Sequence, residues 1–390
     1  MSWTVMNSTD DIVQKTEIPM SKLPDRMRAA VLHTADADFQ LEKVALPVLR
    51  PDEVLVKVEA CNVVQNLKNV LKAAEDPQGD FTYPELPAIL GLDVAGTVAA
   101  CGPLAVGFEE GDRVYVNPGL SCGGCEACRT GRVIDCEAYA LRAYFGIGRQ
   151  SQKSLNDHPA GGFAEYIAVP QANLVRLQDD VDFDTAARFG YLGTAFRALK
   201  LAGCGPGKVV VINGATGTLG LGAVAIALAL GAKQVLGIAR DEDLFPKTEA
   251  LGAKGRVQML KSVEDRAPGT AIDIVIDAIG GGAPAEPFQQ ALYSLRRGGR
   301  FVNIGANSTE IAVDFFWAMS NNITITGSSW FTTADCQEMA DLAGQGTLDL
   351  SYLEHRRFPL ADINEAIAAT DKRSGGFTNF SVVPSLQDAS

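Results

Sequence analysis

The pattern of apolar and polar positions changes character near residue 183. Before it, apolar residues come in short runs at 28–33, 39–45 and 54–60. The last of these, VLVKVEA, alternates strictly, and Pro47 and Pro51 punctuate the loop ahead of it. Similar runs follow at 93–100, 113–117 and 163–169. Short alternating segments separated by turn residues predict strands, so this part of the chain reads as an all-β-rich domain. From 183 to 202 the spacing becomes helical, and the chain then enters a different regime. A fully apolar run at 209–212 is followed by a glycine-rich turn, an apolar helix at 221–230 ending at Gly231, and a strand at 234–239. The alternation continues with a helix at 246–251, a strand at 272–278, a helix at 287–295 and strands at 300–305 and 323–327. Beyond about 335 come a helix, the segment 351–358, a helix at 362–370 and a closing strand at 379–383.

Strands alternating with helices predict an α/β fold with a doubly wound, parallel, Rossmann-type sheet, set beside the β-rich domain. The expected division is an extension at 1–26, a catalytic domain at 27–182, a nucleotide domain at 183–330, and a return to the first domain at 331–390. In the turn after the apolar strand, glycines let backbone approach a pyrophosphate, and the helix N-terminus favours its charge. Thr216, Gly217, Thr218 and Leu219 are the expected phosphate contacts. The second strand ends Gly237-Ile238-Ala239-Arg240, with no acid to bond the ribose hydroxyls and a cation next to the strand end. That favours NADPH over NADH, with Arg240 meeting the 2′-phosphate. The alternative is a solvated Arg240 beside Asp241, Glu242 and Asp243.

The chain has 390 residues, enough for two cores, with 47% hydrophobic and 21% charged residues. A net charge of −13 argues against a nucleic-acid surface. No apolar run reaches the roughly 20 residues of a membrane helix, and the polar start lacks a signal-peptide profile, so a cytoplasmic protein is expected. Of eight cysteines, Cys122, Cys125, Cys128 and Cys136 fall in one x2, x2, x7 cluster. This spacing suits a closed tetrahedral zinc site, structural because four protein ligands leave no open position.

The segments MRAAV at 27–31, VLVKV at 54–58, GLDVAGTV at 91–98, GDRV at 111–114 and GGFAEY at 161–166, together with the nucleotide turn, resemble the medium-chain dehydrogenase/reductase superfamily. The resemblance implies a GroES-like catalytic domain, a structural zinc lobe at 122–136, and Ile304, Gly305 and Ala306 holding the nicotinamide carboxamide through backbone groups. It also implies a homodimer joined through edge strands near 323–327. Zinc enzymes of this superfamily place catalytic ligands where this chain has Val64, Leu92 and Gly190, and none of these side chains has a donor atom. The form Gly-x-Asp-x-Ala-Gly at 91–96 is similar to the zinc-free quinone and enoyl reductases.

The expected activity is therefore NADPH-dependent hydride transfer to an activated C=C, quinone or carbonyl without catalytic zinc. Alternatives are an alcohol or aldehyde dehydrogenase and a catalytically silent NADPH-binding sensor or scaffold. Asn66 and Tyr191 are the candidate proton or hydrogen-bond donors, Gln65 and Asn69 are weaker ones, and Asp93 is expected to anchor backbone. The pocket is expected near residues 64–71, Tyr115 and 315–331, with Trp317, Trp330 and Phe331 suiting an apolar or aromatic substrate.

Overall fold

The computed structural model describes residues 23–74 and 81–387, so nearly all of the expected extension at 1–26 lies outside the described residues. Six parallel strands form the nucleotide sheet, in the order Val257–Leu260, Gln234–Ile238, Val209–Asn213, Ile272–Asp277, Leu295–Asn303 and Thr324–Gly327. Sequence order reverses at Val209–Asn213, the point where such sheets open a crevice at their carboxyl ends. All five residues of that central strand are buried, as a β-branched run covered on both faces requires.

The helix after it spans Thr218–Ala229, three residues earlier at its start than the apolar pattern predicts. Gly220 reads as turn in the sequence but lies in the first turn of the helix, where glycine is required because a Cβ would come within 2.1 Å of the Gly214 carbonyl oxygen. The helix is apolar around its circumference and is correspondingly buried. The expected helix at 183–202 is two, Phe183–Ala186 and Phe189–Leu201. Strand Val257–Leu260, which the pattern does not mark, is a four-residue edge strand following the left-handed turn at Lys254 and Gly255.

The other large sheet is built mainly from the first part of the chain. Its order is Leu174–Arg176, Arg113–Val116, Val94–Cys101, Glu53–Asn62, Thr378–Val382 and Glu354–Phe358, with Tyr166–Pro170 also on Glu53–Asn62. Thus the closing strand crosses back, pairing Ser381 with Asn62 and Val382 with Cys61. Buried polar groups fix this register: Asn62 Nδ2 donates to Asn379 Oδ1 at 2.7 Å and to the Phe380 carbonyl at 3.1 Å.

Helix Phe189–Leu201 joins the two units. Gly193 lies flat on the Phe331 ring, where a Cβ would approach to 2.6 Å, and Gly222 accepts Leu192 in the same way at 2.8 Å. Close approach through absent side chains locks this helix against both neighbours. Among the described residues no helix is long and apolar enough to cross a membrane.

Candidate active site

A cleft of about 580 Å³ opens where the carboxyl ends of the nucleotide strands meet the β-rich domain. Val64, Leu92 and Gly190, far apart in sequence, converge on its wall. Gly190 has no side chain because the space is taken: a Cβ there would fall 2.2 and 2.3 Å from the two carboxylate oxygens of Asp93. Asp93 is buried. Its Oδ1 accepts from the Tyr115 hydroxyl at 2.7 Å, and its Oδ2 has no partner among the described residues. Burial pushes its pKa up to about 7, against the opposing pull of the Tyr115 hydrogen bond and the Arg188 charge. Asp93 was expected to anchor backbone, but its side chain bonds a tyrosine and borders the cleft.

Asn66 and Tyr191 both line this cleft. Asn66 precedes helix Leu67–Ala73 without capping it through its side chain. Instead Asn69 Nδ2 donates to Asn66 Oδ1 at 2.9 Å, and Asn66 acts on the neighbouring Tyr144 phenol against the burial that raises its pKa. The Arg188 guanidinium stands 4.9 Å from the Tyr191 ring centre, and its charge opposes the burial that raises the Tyr191 pKa. Burial raises the pKa of Tyr144 and Tyr191, so both keep their protons at neutral pH.

Leu219, Ile304, Gly305 and Ala306 reach the cleft from the nucleotide side. Gly305 is obligatory, since a Cβ would sit 1.9 Å from the Ile279 carbonyl oxygen. Gly217 precedes the first turn of helix Thr218–Ala229, leaving its leading N–H groups without helical acceptors, as an anionic diphosphate requires. Gly376 covers this turn from the returning segment: its N–H donates to the Thr216 carbonyl at 2.8 Å, and its own carbonyl accepts from Arg188 at 3.2 Å. The Thr218 hydroxyl donates to Gln65 Oε1, and Gln65 Nε2 is buried without a partner among the described residues. Gln65, weak as a sequence candidate, therefore touches the phosphate turn directly. These glycine-walled surfaces and open N–H groups fit a dinucleotide. Arg240 is exposed at the end of Gln234–Ile238. Its acidic neighbours are engaged elsewhere, Glu242 by Lys261 at 2.7 Å and Asp241 by the Asp243 N–H at 3.2 Å.

The expected pocket lining needs correction. Tyr115 is wholly buried behind Asp93, and Phe331 lies under Gly193. Phe315 and Phe316 are 77% and 74% exposed, and Trp317 packs edge-on against Tyr293 at 4.7 Å, so none of the three belongs to the cleft. Of that segment, only the stretch from Gly327 to Trp330 reaches it. Missing from the sequence reading is the aromatic wall of Phe81, Tyr144 and Phe145, assembled from segments that only the fold brings together.

The sulfurs of Cys122, Cys125, Cys128 and Cys136 lie within 4.8 Å of one another, the only such grouping of metal-ligating side chains among the described residues. Backbone N–H groups of Cys122 and Ala138 point at Cys136 Sγ (3.4 and 3.3 Å), and that of Cys125 at Cys122 Sγ (3.4 Å). The Gly124 and Cys125 N–H groups hold the Cys122 thiol down at about 6. Four sulfurs this close, two of them met by backbone N–H groups, fit a structural zinc.

Residues 50–179 match the family description "Alcohol dehydrogenase GroES-like domain", and residues 218–345 match "Zinc-binding dehydrogenase". An alcohol dehydrogenase of Moraxella sp. is 33% identical over 343 residues, covering 87% of this chain and 94% of the relative. One from Geobacillus stearothermophilus is 31% identical over 324 residues, covering 82% and 89%. The crystal structure of a thermostable alcohol dehydrogenase from Pyrobaculum aerophilum superposes with a TM-score of 0.73 at 28% identity, covering 92% of this chain and all of that one. Likeness on this scale, running through the zinc lobe and the nucleotide sheet alike, makes the chain a member of the medium-chain dehydrogenase/reductase superfamily and an NAD(P)-dependent oxidoreductase.

Proposed function

We propose that this oxidoreductase uses NADPH to reduce an activated C=C, a quinone or a conjugated carbonyl of a small apolar substrate, and that it does so without a catalytic metal. The observation that carries this reading is the convergence of Val64, Leu92 and Gly190 on one cleft, with the Asp93 carboxylate filling the space where a residue 190 side chain would project. Three such positions give a metal no donor. Charge that develops on a substrate oxygen must then be met by hydrogen bonds.

Two groups are set to supply them. Tyr144 and Tyr191 both line the cleft, and burial keeps each phenol protonated and so able to donate to a substrate oxygen. In this reading Asn69 and Asn66 orient Tyr144, and the Arg188 guanidinium beside the Tyr191 ring favours charge on that side of the cleft. A bound dihydronicotinamide supplies the hydride. The exposed Arg240 and the missing strand-end acid support the 2′-phosphate form of the cofactor.

The second reading, oxidation of alcohols, is favoured by the names of the relatives. Metal analysis of the purified protein, combined with NADPH and NADH turnover against enals, quinones and simple alcohols, separates the two. One zinc per chain with NADPH-driven reduction of enals or quinones is expected. A second zinc with NAD-linked alcohol oxidation would overturn the proposal. The proposed assembly is a homodimer paired along the outer edge of Thr324–Gly327, where Phe315, Phe316 and Ile325 are exposed, and sedimentation velocity tests it.

A further inference from the structure

The cleft is closed at one end and apolar at its mouth. Val64, Leu92 and Gly190 at the inner end are buried, whereas Phe81 and Ile147, which line the same cavity, are 47% and 41% exposed. Single exposed apolar side chains are ordinary, but here two line one cavity, on the segments that flank Thr82 and Gly146, together with Phe145. Their placement is built into the backbone. Thr82 and Gly146 form an antiparallel bridge, with N–H to carbonyl distances of 3.1 Å in one direction and 2.7 Å in the other. Gly146 makes the bridge possible, because a Cβ there would lie 2.3 Å from Ser151 Oγ and 2.4 Å from Thr82 Oγ1. Phe81 and Phe145, brought together in this way, pack edge to face at 5.1 Å. Among the described residues no lysine, arginine or histidine lines the cavity, and an anionic tail at the lip meets no countercharge from them.

We propose that Phe81, Phe145 and Ile147 form a fixed apolar lip that receives the non-reacting end of the substrate, so that the enzyme selects neutral compounds carrying an extended alkyl or aryl tail over short or anionic ones. This rests on the cleft being the substrate chamber of a reductase, as proposed above. The cavity of about 580 Å³ takes the nicotinamide end of the cofactor beside Ile304, Gly305 and Ala306 as well as the reacting end of the substrate, and the lip extends its apolar wall outward to the surface. Surface kept apolar and in contact with water at the mouth of such a cavity gains affinity only when a ligand covers it.

Two measurements test the lip. One is kcat/KM for a series of straight-chain trans-2-alkenals from four to ten carbons at saturating NADPH. The other is calorimetric binding of the matching straight-chain alkanamides in the presence of NADP⁺, which needs no turnover. Both series are expected to rise with length by up to about fourfold for each methylene that becomes buried. The double variant Phe81→Ser, Ile147→Ser is expected to flatten the slope at the long end, while Leu104→Ser, a substitution of an exposed leucine outside the cavity, leaves the slope unchanged. A flat series in the unaltered protein overturns the lip. So does an unchanged slope in the double variant, or a double variant that alters the oligomeric state in place of the slope. Alkanamides that bind by length while no alkenal is reduced would leave the lip standing and sink the reductase reading; reduction without length dependence would do the reverse.

Discussion

Replacing Asp93 with asparagine is expected to remove a large pH dependence from the stability of this protein. In the folded chain burial carries the Asp93 pKa from 3.8 to about 7. Between those values the unfolded chain has released a proton that the folded chain still holds. The contribution of Asp93 to stability is therefore fully present below about pH 4 and is lost as pH rises through about 7. Each tenfold difference in proton affinity corresponds to about 1.4 kcal/mol, so the whole displacement amounts to about 4 kcal/mol. Asparagine keeps an acceptor for the Tyr115 hydroxyl but places an amide N–H where Oδ2 has no partner, a fixed penalty of about 1–3 kcal/mol that does not vary with pH. The variant is thus the less stable protein at pH 4, and the gap closes or inverts by pH 7. His158, with its pKa pushed down to about 4 by burial, and Asp277, pushed up to about 6, titrate in the same window. Both are present in the two proteins and cancel in the difference. Urea unfolding of both proteins at half-unit steps from pH 4 to 8 measures it. A difference that stays constant across that range would refute the argument, because it would mean that Asp93 is ionised in the folded protein throughout.

Gly190→Ala is expected to destabilise by about 1–3 kcal/mol in the same unfolding assay, reversing the gain of up to about 1 kcal/mol that alanine ordinarily brings to a helix, because its Cβ would meet the Asp93 carboxylate at 2.2 Å. Arg240→Ala is expected to raise the KM for NADPH about 10- to 100-fold and to leave that for NADH nearly unchanged, as loss of a charge-assisted contact to a phosphate requires; equal effects on both cofactors would remove Arg240 from the 2′-phosphate. Tyr144→Phe is expected to lower kcat by about 10²-fold with NADPH affinity retained, read from steady-state kinetics alongside cofactor titration. Cys136→Ser is expected to abolish the stoichiometric zinc, measured by elemental analysis, and to loosen the lobe at 122–136 in hydrogen exchange, because a hydroxyl replaces one of four thiolates.

Local signals in this chain were legible and convergent ones were not. The apolar strand at Val209–Asn213 and the glycine turn after it announce the nucleotide sheet, because a buried parallel strand and a tight turn each impose composition on a few adjacent residues. The four cysteines do the same for the zinc lobe. The want of donors at Val64, Leu92 and Gly190 is also visible in the sequence, but not the reason for the glycine, which is the carboxylate of a residue 97 positions earlier. Tyr144 escaped for a similar cause: the cleft that it lines with its neighbour Phe145 is completed by Asn66 and Phe81, from segments that meet them only in the folded protein. In the opposite direction, Phe315, Phe316 and Trp317 carry the aromatic character of a substrate pocket yet sit on the outer edge of the nucleotide sheet, and apolar composition alone cannot tell a cavity wall from an outward face.

The strand Thr378–Val382 has a consequence for how the protein is made. Its Asn379 meets Asn62 across 317 residues of chain, and it pairs the end of Glu53–Asn62 at Cys61 and Asn62, beyond the stretch that Tyr166–Pro170 covers. During synthesis every strand of the nucleotide sheet emerges before this one, so that sheet can be complete while the first-made domain still has part of an edge open. Such edges recruit other strands, and contacts this distant in sequence form slowly. The first domain to be translated is the last able to close. A tag or truncation that disturbs Thr378–Val382 therefore exposes, in every newly made chain, the edge from which aggregation would begin.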